Sequence, residues 1–189
     1  MGKKIKAMAT KIIIIRHAEK PDGVYQGINE KGKPCPDSLI VKGWQRAGAL
    51  AGLFNPLNKS LRKSKLMVPD VLYASQAGIH SKSNRPVQTI KPLSALLKLT
   101  INKKYGRDDY KVMTESAMKQ SGTVLICWQN QHISQIARQI STKNRIPKNW
   151  PSDRFDLLWV FTLDATIGEY KFSQVNQNLL PGDKSKSKP

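Results

Sequence analysis

"KIIIIRHAEKPDG", residues 11–23, decides how the chain is read. Four consecutive isoleucines make a continuous β-branched run, the pattern of a strand buried on both faces of a parallel sheet. The run passes straight into Arg16 and His17 and is then broken by Pro21 and Gly23. The polar pair therefore stands at the C-terminal end of a strand, at the mouth of a loop. His17 is either a nucleophile presented there or a polar residue marking the strand's edge.

Outward from this stretch, strand and helix patterns alternate. Trp44, Ala47, Leu50, Ala51 and Phe54 recur at spacings of three and four, a helix with one apolar face. "DVLYAS" (70–75) is a second strand. Val87, Ile90, Leu93 and Leu97 form a second helical face, with Pro86 in its first turn. Residues 108–120 carry a weaker helical pattern. "TVLICW" (123–128) is a third buried strand, and Ile133, Ile136, Ala137 and Ile140 a regular helical stripe after it. "FDLLWVFTLD" (155–164) and "GEYKFSQV" (168–175) read as two late strands forming a hairpin. The order predicts an α/β fold of three layers, a mostly parallel sheet with helices on both faces. One domain is expected over residues 11–181, after a flexible basic leader (1–10) and before a disordered basic tail (182–189).

Composition bounds the rest. A chain of 189 residues suits one domain with a sizeable core, and 39% hydrophobic residues favour folding over disorder. No apolar run approaches the ~18–20 residues of a membrane span. The basic start has too short an apolar run for a signal peptide, so a soluble, cytoplasmic protein is expected. Cys35, in "KPCPD", and Cys127, in "TVLICW", form neither a disulfide framework nor a CxxC pair. Lys and Arg number 32 against 13 Asp and Glu, a net charge of +19. Such a field draws anions: nucleic acid, anionic membrane or phosphorylated small molecules. The basic clusters are scattered and not interleaved with aromatics, so they read first as a solvated face and second as a contact for nucleic acid or an anionic membrane.

In sheets of this type ligands bind outside the carboxyl ends of the strands. Residues following Ile15, Ala74 and Trp128 are therefore expected to converge. They include Arg16, His17 and Glu19; Ser75, His80, Ser83, Asn84 and Arg85; and Gln129, Asn130, Gln131 and His132. Taken singly, each has an ordinary structural explanation; together they suit one chemistry. Two arginines present forked donors to a tetrahedral oxyanion. Their charges keep a neighbouring imidazole neutral, able to attack phosphorus. A second histidine stabilises the transferring group, and a carboxylic acid protonates the leaving oxygen. No cofactor is expected: there is neither a metal-ligand spacing nor a GxxxxGK[ST] loop.

These residues resemble a known family. "IIIIRHAEK" is similar to the strand-plus-RH(G/A)E signature of the histidine phosphatase superfamily, with its phosphoglycerate mutase-like fold. "LIVKGWQRAGAL" (39–50) resembles the family's L-x-x-x-G-x-x-Q-A helix. "VLYASQAGIHSKSNRPVQTIKPL" (71–93) resembles its S…R-x-x-Q-T segment, carried here by Ser75, Arg85, Gln88 and Thr89. "TVLICWQNQHISQIA" (123–137) is placed like the strand and helix flanking the second catalytic histidine. "WPSDRFDLLWVF" and "QNLLPGD" resemble the tail of small phosphatases of this kind. The resemblance implies a phosphorylated nucleophile at His17 and a phosphate clamp of Arg16 and Arg85. Gln129 or Asn130 occupies the place expected for the second histidine, and two readings stand. "QNQH" loops out and brings His132 into the pocket, or Asn130 replaces the histidine and donates a hydrogen bond to phosphate without bringing a charge. The proton donor is Glu19, with Asp108, Asp109 and Asp156 as alternatives. Only residues 86–122, 37 in all, separate Arg85 from the third strand, which favours a compact hydrolase over a mutase. The implied activity is phosphomonoester hydrolysis on a phosphorylated small molecule or phosphoprotein. The alternatives are a pseudophosphatase that binds without turnover and a basic module for nucleic acid or anionic membrane.

Overall fold

A computed structural model of the chain describes residues 8–78, 81–142 and 146–184. His80, residues 1–7 of the expected leader and residues 185–189 of the expected tail lie outside the described residues. In chain order the elements are β1 (Lys11–Arg16), α1 (Val41–Phe54), β2 (Val71–Ala74), α2 (Arg85–Leu97), β3 (Ile101–Asn102), α3 (Tyr110–Met118), β4 (Thr123–Trp128), α4 (Asn130–Ile140), β5 (Leu157–Asp164) and β6 (Glu169–Asn176). A 3-10 turn, Lys59–Leu61, follows α1.

The six strands form one sheet in the order β3-β2-β4-β1-β5-β6. β3, β2, β4 and β1 run parallel, while β5 is antiparallel to both β1 and β6. The mostly parallel sheet and the late hairpin are both present. β3 is the addition: two residues are too few to show a strand period. α1 and α2 cover one face, where Leu50, Phe54, Ile90 and Leu93 pack on Ile13, Ile15, Leu72 and Leu125. α3 and α4 cover the other, where Met113, Ala117, Ile133 and Ile136 pack on Ile12, Ile14, Val124 and Ile126. Alternate isoleucines of β1 thus point into two different cores, which is why the run carries no polar break. Each one buried contributes roughly 1.5–3 kcal/mol.

One expectation about local structure is corrected. "QNQH" (129–132) is not an outward loop: Gln129 is the extended N-cap of α4, and Asn130–His132 form its first turn. The stretch holds neither glycine nor proline, so nothing stops the helix from starting ahead of its first buried isoleucine. Among the described residues no helix is long and apolar enough to cross a membrane.

Candidate active site

β1, β4 and β2 lie side by side and end together, so their C-terminal residues meet at one edge of the sheet. Arg16 is in register with Trp128, and Ala74 with Cys127. The His17 backbone N–H donates to the Trp128 carbonyl at 3.1 Å. The Ser75 hydroxyl donates to Gln129 Oε1 at 3.0 Å.

One turn of α2 fixes the surroundings of this edge. The Thr89 hydroxyl accepts from the Ala18 N–H at 2.8 Å and donates to the Arg85 carbonyl at 2.7 Å. Gln88 accepts from the Leu39 N–H at 3.0 Å and donates to Ser38 Oγ at 2.9 Å. Arg85 Nη1 donates to the Pro36 carbonyl at 2.9 Å. From the other side α1 presses on the same loop. A Cβ at Gly43 would lie 2.6 Å from the Glu19 carbonyl oxygen, so only glycine fits unless the loop retreats.

His17 is 4% exposed. Its Nδ1 lies 2.8 Å from the Ala18 carbonyl oxygen. A carbonyl only accepts, so Nδ1 carries the proton and Nε2 the free lone pair. Burial lowers the His17 pKa to about 3; the Ala18 hydrogen bond opposes the shift, and the charges of Arg16, Arg85 and Lys20 add to it. The ring is neutral at pH 7, as a nucleophile requires. Burial, more than the arginines, keeps it so.

Arg16 is 3% exposed. Its Nη1 donates to the carbonyls of Ser152 at 2.6 Å and Arg154 at 3.3 Å, and its Cζ sits 3.9 Å from the centroid of the Phe155 ring, a cation–π contact. Burial pulls its pKa down to about 10, with Asp153 and Glu19 opposing and Arg85 adding, so it stays charged at neutral pH. Arg85 is lowered as well, mainly by burial. The Nε atoms of both arginines are buried without a partner. The Phe155 ring centroid lies 6.2 Å from that of His17.

The other candidates have different surroundings. His132 stacks on Tyr110 of α3, ring centroids 4.7 Å apart, with Nε2 3.7 Å from Asp108 Oδ1. Burial lowers its pKa, while Asp108 raises it and Arg107 lowers it further. Asn130, half-buried, opens α4. Glu19, the expected proton donor, is buried. Both its oxygens accept from Arg46, at 2.7 to 3.1 Å. Asp108 pairs with Arg107, Asp109 accepts from the Gly106 N–H, and buried Asp156 pairs with Arg154 at 2.5 Å.

Arg46 is the main residue the sequence reading passed over. It also contacts Gln177 Oε1 at 2.9 Å and both oxygens of Asp183 at 2.7 and 3.0 Å, tying segment 177–183 to the loop after β1. Its signal was available: an arginine on the apolar stripe of α1, between Gly43 and Leu50, demands buried carboxylates. Phe155, beneath Arg16, carried no such signal. A cavity of about 1070 Å³ lies beside this edge, lined by Glu19, Lys20, Tyr25, Phe155, Arg46 and Lys184; His17, Arg16 and Arg85 are not among its walls. Among the described residues no group of three or more His, Cys, Asp or Glu side chains is placed to hold a metal ion.

No family model matches the chain, and no curated protein matches it by sequence. Its structure has clear counterparts. The protein histidine phosphatase SixA, complexed with tungstate, superposes with a TM-score of 0.52 at 14% identity, over 88% of this chain and 97% of that one. The phosphoglycerate mutase of Plasmodium falciparum gives 0.51 at 12% identity, over 96% and 99%. The alpha-ribazole phosphatase of Shigella flexneri gives 0.53 at 12% identity, over 88% and 96%. The fold is the phosphoglycerate mutase-like fold of the histidine phosphatases.

Proposed function

We propose that the chain is a phosphomonoesterase working through a phosphohistidine at His17. One observation carries the reading: a buried, neutral imidazole with its Nδ1 proton held by Ala18 and its Nε2 lone pair free, beside two arginines with unused donors. Nε2 attacks phosphorus, and the P–O bond to the leaving group breaks. The arginines neutralise charge on the non-bridging oxygens. Water then attacks the phosphohistidine and releases inorganic phosphate. The part of the substrate beyond phosphate has room in the cavity beside Phe155.

Glu19, Asp108, Asp109 and Asp156 each already accept from an arginine or a backbone N–H. An aryl phosphate, whose phenolate leaves without a donated proton, is therefore the substrate for the test. Phosphate release with chelator present, between pH 5 and 8, is expected to fall to background in His17→Ala. Full activity in that variant overturns the mechanism. A second reading, a phosphate-binding protein without turnover, is favoured by the engaged carboxyls and by the neutral Gln129 and Asn130 after β4. It predicts a silent parent chain that still binds an oxyanion.

A further inference from the structure

Among the described residues six buried side-chain atoms have no hydrogen-bond partner: Arg16 Nε, Ser83 Oγ, Arg85 Nε, Gln129 Nε2, His132 Nδ1 and Ser134 Oγ. Arg16 ends β1, Ser83 and Arg85 follow β2, and Gln129, His132 and Ser134 follow β4. A buried donor left unpaired costs about 1–3 kcal/mol, so each is a place where a ligand can complete the bonding.

Gln129 is the least expected of the six. It is 5% exposed. It follows Trp128 as His17 follows Arg16, and those two predecessors are in register on adjacent parallel strands. The two side chains therefore leave the sheet from neighbouring strands, roughly 5 Å apart. Gln129 occupies the N-cap of α4, yet its side chain makes no cap hydrogen bond. Instead Oε1 accepts from fully buried Ser75, which leaves the amide nitrogen as the unused end.

We propose that Gln129 is a phosphate-binding residue: its amide N–H donates to a non-bridging oxygen of the oxyanion held at His17, and Ser75 is the positioning residue that fixes which end of the amide faces that oxygen. This rests on the reading of the β1–β4 edge as an oxyanion site, but not on turnover. The site then binds its oxyanion with two guanidiniums and an uncharged amide. The amide adds a donor without adding a further positive charge beside His17, where Arg16, Arg85 and Lys20 already act.

The test is calorimetric titration of the whole chain with tungstate at pH 7.5. Gln129→Met keeps the shape and removes the donor. It is expected to weaken binding roughly 10- to 100-fold, the range for a lost hydrogen bond to a charged group. Gln129→Glu, which faces the anion with a carboxylate, is expected to weaken it further. Ser75→Ala, which frees the amide to turn, is expected to cost less than either. Thermal melts without ligand separate misfolding from lost binding. The double variant Ser75→Ala with Gln129→Met removes both partners and is expected to melt near the parent, while its tungstate-induced stabilisation shrinks. Parent-like tungstate affinity in folded Gln129→Met and Gln129→Glu overturns the proposal, as does a parent chain that binds no tungstate. Tungstate binding that depends on Gln129, without release of phosphate from an aryl ester, sustains the proposal and removes only the hydrolase reading.

Discussion

Acidification from pH 7 to pH 5 is expected to destabilise the chain through His17 alone by about 2 kcal/mol. An unfolded histidine titrates near its ordinary value of 6.5, whereas the folded one is held at about 3. Between those values the unfolded state binds a proton that the native state refuses. Stability is therefore fully present above pH 6.5 and is lost as the pH falls from 6.5 towards 3, at about 1.4 kcal/mol per pH unit. At pH 5 the loss has run over about 1.5 units, hence the ~2 kcal/mol. Asp183 keeps its charge throughout this window: burial raises its pKa, but Arg46 and the Leu179 and Leu180 N–H groups lower it more, to about 2. The assay is urea unfolding at both pH values, for the parent and for His17→Gln, with His132→Gln as control. The His132 pKa is lowered too, by burial, so it contributes with the same sign. The pH-dependent loss is expected to shrink by about 2 kcal/mol in His17→Gln. An unchanged loss refutes the buried neutral imidazole, and with it the argument for a nucleophile ready at physiological pH.

Other outcomes follow from the packing around the site. Arg46→Met leaves the buried carboxylates of Glu19 and Asp183 without their countercharge and is expected to cost roughly 3–5 kcal/mol in urea unfolding. Adding Glu19→Gln and Asp183→Asn is expected to restore much of that; a single substitution costing under about 1 kcal/mol contradicts the buried triad. Gly43→Ala drives a methyl group against the Glu19 backbone and is expected to destabilise by about 1–3 kcal/mol and to depress any phosphate release. Gly48→Ala, on the exposed side of the same helix with nothing within 4 Å of the new Cβ, is expected to stabilise by about 0.5–1 kcal/mol. Equal effects at the two glycines in thermal melts remove the claim that α1 is pressed onto the loop.

The sequence was most legible where one period dominates. The isoleucine run and "TVLICW" lie in the sheet as β1 and β4, because continuous apolar runs admit few alternatives once helices cover both faces. Arg16, His17 and Arg85 fall at strand and helix ends that those patterns locate, and the tautomer of His17 follows from one backbone carbonyl. Residues whose roles depend on distant chain were harder to read. Arg46 stands on the apolar stripe of α1, which calls for carboxylates but does not say that they come from 19 and 183, and Arg16 leans on Phe155, a contact with no local signature. The stretch after Trp128 was ambiguous for another reason. A helix start and a loop of polar residues look alike when no glycine or proline separates them, and the helix that forms turns His132 towards Tyr110.

Three residues of a single turn of α2 make four of the contacts that frame His17. Arg85 reaches Pro36, Gln88 holds Ser38 and Leu39, and Thr89 holds Ala18. Successive helical residues are about 100° apart. Inserting or deleting one residue between 85 and 89 therefore swings part of this set to another face while the rest stays behind. Sequence change in this turn can proceed by replacement but not by length. Its spacing acts as a ruler, and any relative that keeps this way of holding the loop must keep the ruler's marks.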